Sequence, residues 1–335
     1  MPIYPFDLQD IKYIRSVTMP LDDVVNELYT QLIPSNLRWA WGESLFKTLI
    51  ALRRKQSNAR LGTAFIGDLT IKYLEFGRPQ LPKMILLHGL SDSKDTYITL
   101  AQNLASRYHI LVPDLPGFGE SEKPTDVKYD LPQYSGWIFK FAAKLKFDRF
   151  ILVGHSLGGA VACEMAHENA SKIQRLVLIG SGGLIPENDG ENLYEEILRG
   201  ENPFEISAYT EFLEFMKLLF RKPPFIPLPM KNYLFMRYKS NKAWYHRVFS
   251  DLLGDVSTEA MIKKRKHEQV QRIGKITVPT LIIWGKHDGL FPPSIGKMFH
   301  ETVKNSRLVI LENSAHMLQI EEPQRIQRLI RQFAD

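Results

Sequence analysis

From about residue 63 onward, short apolar runs alternate with amphipathic stretches. Met84–Leu87, His109–Val112, Phe150–Val153, Leu176–Ile179, Leu281–Trp284 and Leu308–Leu311 are short apolar runs. Runs this short predict strands, and Ile151-Leu152-Val153 and Pro279–Gly285 read as buried parallel strands. Helical patterning follows over Tyr97–Ser106, Pro132–Leu145, Leu157–Asn169, Ser294–Thr302 and Pro323–Phe333, the last with proline in its first turn. Gly67-Asp68 within Phe65–Leu69 predicts a hairpin leading into Thr70–Phe76. Alternating β and α elements predict an α/β fold, with a mostly parallel central sheet and helices on both faces.

Two stretches depart from that alternation. Leu37–Leu52 carries Trp39, Trp41, Leu45, Phe46, Leu49 and Leu52 at helical spacing and ends in Arg53-Arg54-Lys55. This predicts a helix packed on the main domain; an interfacial helix with its basic end among lipid headgroups is the second reading. Between about 183 and 275 no strand pattern occurs. The stretch is helical and rich in Phe, Tyr, Met and Leu. Glu187–Glu205 is acidic, Lys217–Arg247 holds eight Lys or Arg and no Asp or Glu, and Lys263-Lys264-Arg265-Lys266 adds a basic cluster. The expected organisation is an N-terminal helical extension over 1–60, a core over 61–182 and 276–335, and an inserted helical lid over 183–275.

The length of 335 residues allows such a core with an insertion. With 44% hydrophobic and 24% charged residues, the balance is that of a globular protein. The single cysteine, Cys163, excludes an internal disulfide and a cysteine-based metal site, and reads as small helix filler. No metal or cofactor is expected. The net charge of +6 is not gathered into a nucleic-acid motif, which argues against a nucleic-acid partner. MPIYPFDLQD lacks a basic region followed by an apolar core, and no apolar run reaches the roughly 18 residues of a membrane span. A cytoplasmic enzyme is expected, with peripheral membrane contact through residues 37–55 and the basic, apolar lid.

The candidate chemistry centres on Phe150–Cys163, FILVGHSLGGAVAC. An apolar strand meets a tight turn, Gly154-His155-Ser156-Leu157-Gly158, and a helix begins. A serine forced onto such a turn presents its hydroxyl at the carboxyl end of a sheet, and the glycines let neighbouring backbone pass close by. The Leu157 N–H then faces whatever Ser156 attacks. A capping serine on an ordinary strand–turn–helix is the plainer alternative.

A serine nucleophile needs a base, usually a histidine oriented by a carboxylate. Asp288 follows the strand PTLIIWG at a Lys286-His287-Asp288-Gly289 turn, and His316 follows the strand SRLVILE in Asn313-Ser314-Ala315-His316. Both therefore lie at carboxyl strand ends, where ligands of open α/β sheets bind. Glu187 and Asp189 are the weaker alternatives for the acid. His155, His167 and His287 are surface or core alternatives to His316, and Asp114 reads as a turn-bracing residue. A second oxyanion donor is expected after an early strand, where Leu86-Leu87-His88-Gly89-Leu90 offers the Leu90 N–H.

LLHGL, VPDLPGFGES, GHSLGG, PTLIIWGKHD and ENSAHMLQIEEP, in that order, resemble the α/β-hydrolase superfamily. The resemblance implies a Ser156–Asp288–His316 triad with Leu90 and Leu157 as oxyanion donors. The C-terminal third is most similar to the monoacylglycerol lipase and bacterial lipase/esterase branch. In eukaryotic members of that branch an apolar N-terminal segment anchors the protein in the membrane; here Glu43 and Lys47 interrupt it. Relatives with aspartate at the elbow, the haloalkane dehalogenases and epoxide hydrolases, are set aside by Ser156.

The expected activity is a serine carboxylic ester hydrolase acting on uncharged acyl esters or lipids. Within the lid, Phe212, Leu213, Phe215, Met216, Leu218, Leu219 and Phe220 exceed what one helix face can bury, and Phe225–Met230 follows as a stiff apolar loop. Phe215, Leu219 and Phe225 are the candidate acyl-binding residues. Two other readings are a carbon–carbon bond hydrolase of acidic ring-cleavage products, which would need a basic group in its pocket, and a non-catalytic ligand-binding member of the fold.

Overall fold

The computed structural model describes residue 29 and residues 31–185, 203–254 and 259–335. Glu187 and Asp189, the alternative acids, lie outside the described residues, as does the extension before residue 29. Internal packing divides the chain into two compact units, Met1–Leu49 with Phe225–Arg237 and Ile50–Pro224 with Tyr238–Asp335.

The larger unit is built on one eight-stranded sheet. Its strands are β1 (Arg60–Ile66), β2 (Leu69–Phe76), β3 (Lys83–Leu87), β4 (His109–Pro113), β5 (Phe150–His155), β6 (Ile173–Ile179), β7 (Thr280–Gly285) and β8 (Ser306–Leu311), ordered β1-β2-β4-β3-β5-β6-β7-β8. β2 pairs antiparallel with both β1 and β4, and every later pairing is parallel. All six residues of β5 and of β7 are buried, as continuous apolar runs require. The β1–β2 hairpin turns at Gly67, whose φ of 62° is the left-handed conformation a tight hairpin demands.

One sheet face buries Met84, Leu86, Ile151, Val153, Val177, Ile179, Leu281 and Ile283 in a core shared with Ile98 and Leu100 and with Ile326 and Ile330. The alternate residues Ile85, Leu87, Leu152, Leu178 and Ile282 are equally buried, so the other face is covered too. In the helix Pro323–Ala334, Ile326, Leu329 and Ile330 form the buried stripe of an amphipathic surface helix. Truncating one of these isoleucines to alanine would cost about 2–5 kcal/mol.

Between β6 and β7 the described chain is helical: Tyr209–Leu219, Leu228–Ser240, Lys242–Leu253 and Glu259–Gly274. Phe212, Phe215, Leu219 and Phe220 are buried, which accounts for most of the apolar excess seen in the sequence.

The helix Ser35–Gln56, of which the part up to Leu49 belongs to the smaller unit, exceeds its expected span at both ends. Trp39 and Phe46 meet the Tyr233 ring at 5.0 and 5.4 Å. Gly42, on the same face, permits the approach: a Cβ there would lie 2.3 Å from the Pro229 carbonyl oxygen. At about 3.6 residues per turn, Leu37, Trp41 and Leu52 fall on the opposite face. That face is open to solvent, with Trp41 56% and Leu52 47% exposed. The wide apolar face expected of this helix is thus split, half packed and half exposed.

Candidate active site

Ser156 stands between β5 and the helix Leu157–Glu168 with φ 53° and ψ −119°, a conformation that L-residues hold only when the surroundings impose it. The surroundings do so through backbone bonds. Ser156 N–H donates to Ile179 O at 3.1 Å, and its carbonyl accepts from Gly159, Ala160 and Gly182 at 2.9, 3.1 and 3.0 Å. The glycines permit the crossing: a Cβ on Gly154 would lie 2.2 Å from Gly158 O, and one on Gly158 would lie 2.3 Å from Leu87 O.

Asp288 and His316 meet at the carboxyl ends of β7 and β8. His316 Nδ1 is 2.8 Å from Asp288 Oδ2, and Asp288 Oδ1 accepts the N–H groups of Leu290 and Phe291 at 3.0 and 2.9 Å. Donation from Nδ1 to a carboxylate leaves Nε2 as the basic nitrogen. Gly180, at the end of β6, passes directly beneath the pair; a Cβ there would sit 3.3 Å from both Asp288 Oδ2 and His316 Nδ1. No hydrogen bond joins His316 to Ser156 Oγ among the described residues, a contact that in free enzymes often closes only when substrate binds.

Ser156, Leu90 and Leu157 line one cavity that opens to solvent. Its walls include Leu131, Phe204, Phe249, Leu252 and Phe291, with Arg265 and Gln269 as polar members. The Phe291 ring also stands 5.5 Å from the His316 ring. Neither Leu90 N–H nor Leu157 N–H donates to another group among the described residues, which leaves both available to a ligand in that cavity. Of the residues expected to bind an acyl chain, Phe215 packs against Phe204 and Tyr238 at 5.4 and 5.5 Å. Leu219 is buried, and Phe225 is 93% exposed. Neither Phe215 nor Leu219 lines the cavity.

Several contributors escaped the sequence reading. His155, within the elbow itself, reaches back to His316: its Nε2 lies 3.0 Å from the His316 carbonyl oxygen and its ring 4.7 Å from the His316 ring. Burial, reinforced by His316, pushes the His155 pKa well below the ordinary value, so His155 stays neutral and its Nε2–H donates. A neutral neighbour does not oppose a positive charge forming on His316. The only available signal was its place in G-x-S-x-G.

His88 braces the loop that carries Leu90. Its Nε2 accepts the Leu115 N–H at 2.9 Å, which makes Nδ1 the protonated nitrogen and the donor to Gly89 O at 2.8 Å. In a planar trans peptide the Gly89 carbonyl and the Leu90 N–H point in opposite directions, so fixing one aims the other. Asp114 is structural, as its position before the elbow implied. It accepts from Lys94 N, Lys94 Nζ and Glu120 N at 2.7, 2.6 and 2.7 Å.

The helix Tyr209–Leu219 ends on both halves of the pair. Leu218 O accepts Gly289 N–H at 3.2 Å beside Asp288, and Leu219 O accepts Met317 N–H at 3.0 Å beside His316. Glu321 links the same region, accepting Arg221 N–H at 2.9 Å and Ala315 N–H at 2.7 Å. Among the described residues, no cluster of three or more His, Cys, Asp or Glu side chains is placed to hold a metal ion.

The chain is similar to Lipase 1 of Psychrobacter immobilis, 24% identical over 276 residues that cover 82% of this chain and 83% of the relative. It is similar to human monoacylglycerol lipase ABHD6, 26% identical over 308 residues that cover 88% of this chain and 87% of the relative. The crystal structure of a membrane phospholipase A, described as a bacterial virulence factor, superposes with a TM-score of 0.80 at 27% identity, covering 94% of this chain and 98% of that one. The family defined by the alpha/beta hydrolase fold matches residues 82–323, most of the chain, and the protein belongs to that family.

Proposed function

We propose that the protein hydrolyses carboxylic esters of lipid-like acyl groups through an acyl-enzyme on Ser156. The observation that carries this reading is the His316–Asp288 hydrogen bond, in a molecule whose strained Ser156 shares one cavity with two backbone N–H groups that have no acceptor among the described residues. The lipase names of the relatives support it.

In the proposed course, His316 Nε2 takes the Ser156 Oγ proton as Oγ bonds to the ester carbonyl carbon. The carbonyl oxygen becomes an oxyanion held by the Leu90 and Leu157 N–H groups, each worth about 3 kcal/mol of barrier. The intermediate collapses, the ester C–O bond breaks, and the departing alcohol takes the proton from His316. Water then repeats the sequence on the acyl-enzyme and frees the acid. Asp288 holds the imidazole tautomer and stabilises its cation.

Turnover of p-nitrophenyl esters of graded chain length, by the wild type and by Ser156→Ala, tests the assignment. The wild type is expected to turn over esters and to label with a fluorophosphonate; the variant is expected to do neither. Turnover of no ester by the wild type sinks the reading. One observation favours a second one. Arg265, a cation, lines the cavity of Ser156, as a carbon–carbon bond hydrolase of acidic dienoates would require. That reading predicts turnover of a ring-cleavage dienoate without turnover of esters.

A lipid surface is the proposed partner. No helix among the described residues is long and apolar enough to cross a membrane. The exposed Leu37, Trp41 and Leu52, with the exposed Arg53 and Lys55 at the helix end, instead suit a helix lying at an anionic interface; Arg54 between them is held by Asp95 and Glu120. Trp41→Glu should weaken sedimentation with anionic vesicles and leave turnover of a short soluble ester unchanged. Salt-insensitive activity indifferent to vesicles removes the partner.

A further inference from the structure

The cavity that holds Ser156 is roofed in part by the helical insertion between β6 and β7, and one side chain of that insertion reaches the oxyanion loop. Ser91, immediately after Leu90, adopts φ 59°. It is one of four non-glycine residues with positive φ among the described residues, and Ser156 is another. Such a conformation in a serine persists only where its neighbours impose it.

Ser91 has an evident restraint. Its Oγ lies 3.0 Å from the Tyr238 hydroxyl, on the helix Leu228–Ser240. Tyr238 is itself set in an aromatic cluster, with ring centroids 5.9 Å from Phe212, 5.5 Å from Phe215 and 5.8 Å from Tyr245. Three helices of the insertion therefore fix where the Tyr238 hydroxyl stands. On the other side of Leu90, His88 holds Gly89 O, and the same carbonyl accepts Asp92 N–H at 3.4 Å. Leu90 is thus bracketed, with its preceding peptide held by His88 and its following residue held by Tyr238.

We propose that Tyr238 is a positioning residue for the oxyanion hole, its hydroxyl holding Ser91 in the left-handed conformation that keeps the Leu90 N–H aimed at the reacting carbonyl. The proposal rests on the ester-hydrolase reading. It assigns to the insertion a part in the chemical step itself, besides any part in enclosing substrate. Without the phenolic oxygen, Ser91 relaxes towards negative φ, the Leu90–Ser91 peptide rotates, and Leu90 moves with it. Glycine at position 91 adopts φ 59° without strain and makes the tether largely dispensable.

The test is a two-by-two set: wild type, Tyr238→Phe, Ser91→Gly and the double variant, assayed on a short soluble p-nitrophenyl ester. Active-site titration corrects kcat for correctly folded protein. Tyr238→Phe is expected to lower kcat about tenfold with KM within twofold, because the donor acts in the transition state. In the Ser91→Gly background the same substitution is expected to cost less than twofold. A structural role independent of Ser91 would lower the active fraction or thermal stability equally in both backgrounds and leave the corrected kcat unchanged. A Tyr238→Phe variant with unchanged kcat, or an equal loss in both backgrounds, overturns the proposal while wild-type turnover keeps the ester-hydrolase reading. A wild type that turns over no ester overturns both.

Discussion

Two substitutions at His88 should separate the stability of this protein from its activity. The imidazole is buried and makes two bonds of different consequence. Nε2 accepts the N–H of Leu115, a buried residue, and Nδ1–H donates to the Gly89 carbonyl that aims Leu90. A glutamine amide reaches the position of Nε2 and can present its oxygen to Leu115, but offers nothing to Gly89. An asparagine amide reaches the position of Nδ1 and can donate to Gly89, but leaves the Leu115 N–H without an acceptor.

An orphaned buried N–H costs about 1–3 kcal/mol. In a protein of this size that lowers Tm by roughly a few degrees, given about 2–4 °C per kcal/mol. Deleting an oxyanion donor costs about 3 kcal/mol; loosening one without deleting it forfeits a fraction, about 1–2 kcal/mol, or about a five- to thirtyfold loss in kcat. His88→Gln is therefore expected to keep its Tm and lose about tenfold in kcat. His88→Asn is expected to lose Tm and keep kcat within about threefold at a temperature where it is folded. Thermal melts and kcat on a short soluble ester measure both quantities. If kcat follows Tm across the pair, or falls equally in both variants, the assignment of Nδ1 to the oxyanion loop is wrong.

Other predictions concern sites away from the chemistry. Burial raises the Glu164 pKa to about 7, with Arg272 opposing and Glu168 reinforcing. As pH rises from about 4.3, the ordinary glutamate value, the unfolded chain gives up this proton before the folded one does. The associated stability is complete below that value and is lost as pH passes through about 7. The Tm difference between Glu164→Gln and wild type should move in favour of the variant across that window; a flat or opposite trend refutes it. Gly42→Ala drives a Cβ into the Pro229 carbonyl, an overpacking cost of about 1–3 kcal/mol that exceeds the gain of about 1 kcal/mol from alanine's helix propensity. Hydrogen exchange should quicken in Ser35–Leu49 and Phe225–Arg237 while the central sheet stays protected; unchanged exchange there refutes the close crossing.

The core strands were legible because each is a continuous apolar run ending at a glycine, proline or turn, and that pattern has one physical meaning in a buried parallel sheet. β1 was visible only at its hairpin end, because an edge strand with Leu61 and Phe65 exposed carries no such run. The helix Ser35–Gln56 was foreseen, but its packing face was not. Gly42 selects the side that Tyr233 approaches, and nothing in the spacing of Trp39 and Trp41 distinguishes the half-buried ring from the exposed one. Asp288 and His316 were found from strand order and meet at 2.8 Å. His88 and His155 were not assigned their parts, since each acts through a tautomer set by partners distant in sequence, Leu115 in one case and His316 in the other.

Leu219 shows why the insertion was the hardest segment to read. Its side chain drew attention as a candidate acyl contact, yet the atom that matters is its carbonyl oxygen, which holds Met317 beside His316 while Leu218 O holds Gly289 beside Asp288. Backbone bonds of this kind leave no trace in residue type. Together with Tyr238 on Ser91, they tie the insertion to both halves of the candidate site, the Asp288–His316 pair and the loop carrying Leu90. A sheet with its loops brings Ser156, Asp288 and His316 to one edge, but the turns carrying two of them, and the loop carrying Leu90, are pinned from the insertion. On the proposed ester-hydrolase reading, movement of that segment would disturb transition-state contacts as well as substrate access. Changes confined to its packed interior, such as truncation of Phe212 or Phe215 behind Tyr238, should therefore appear in kcat as much as in KM.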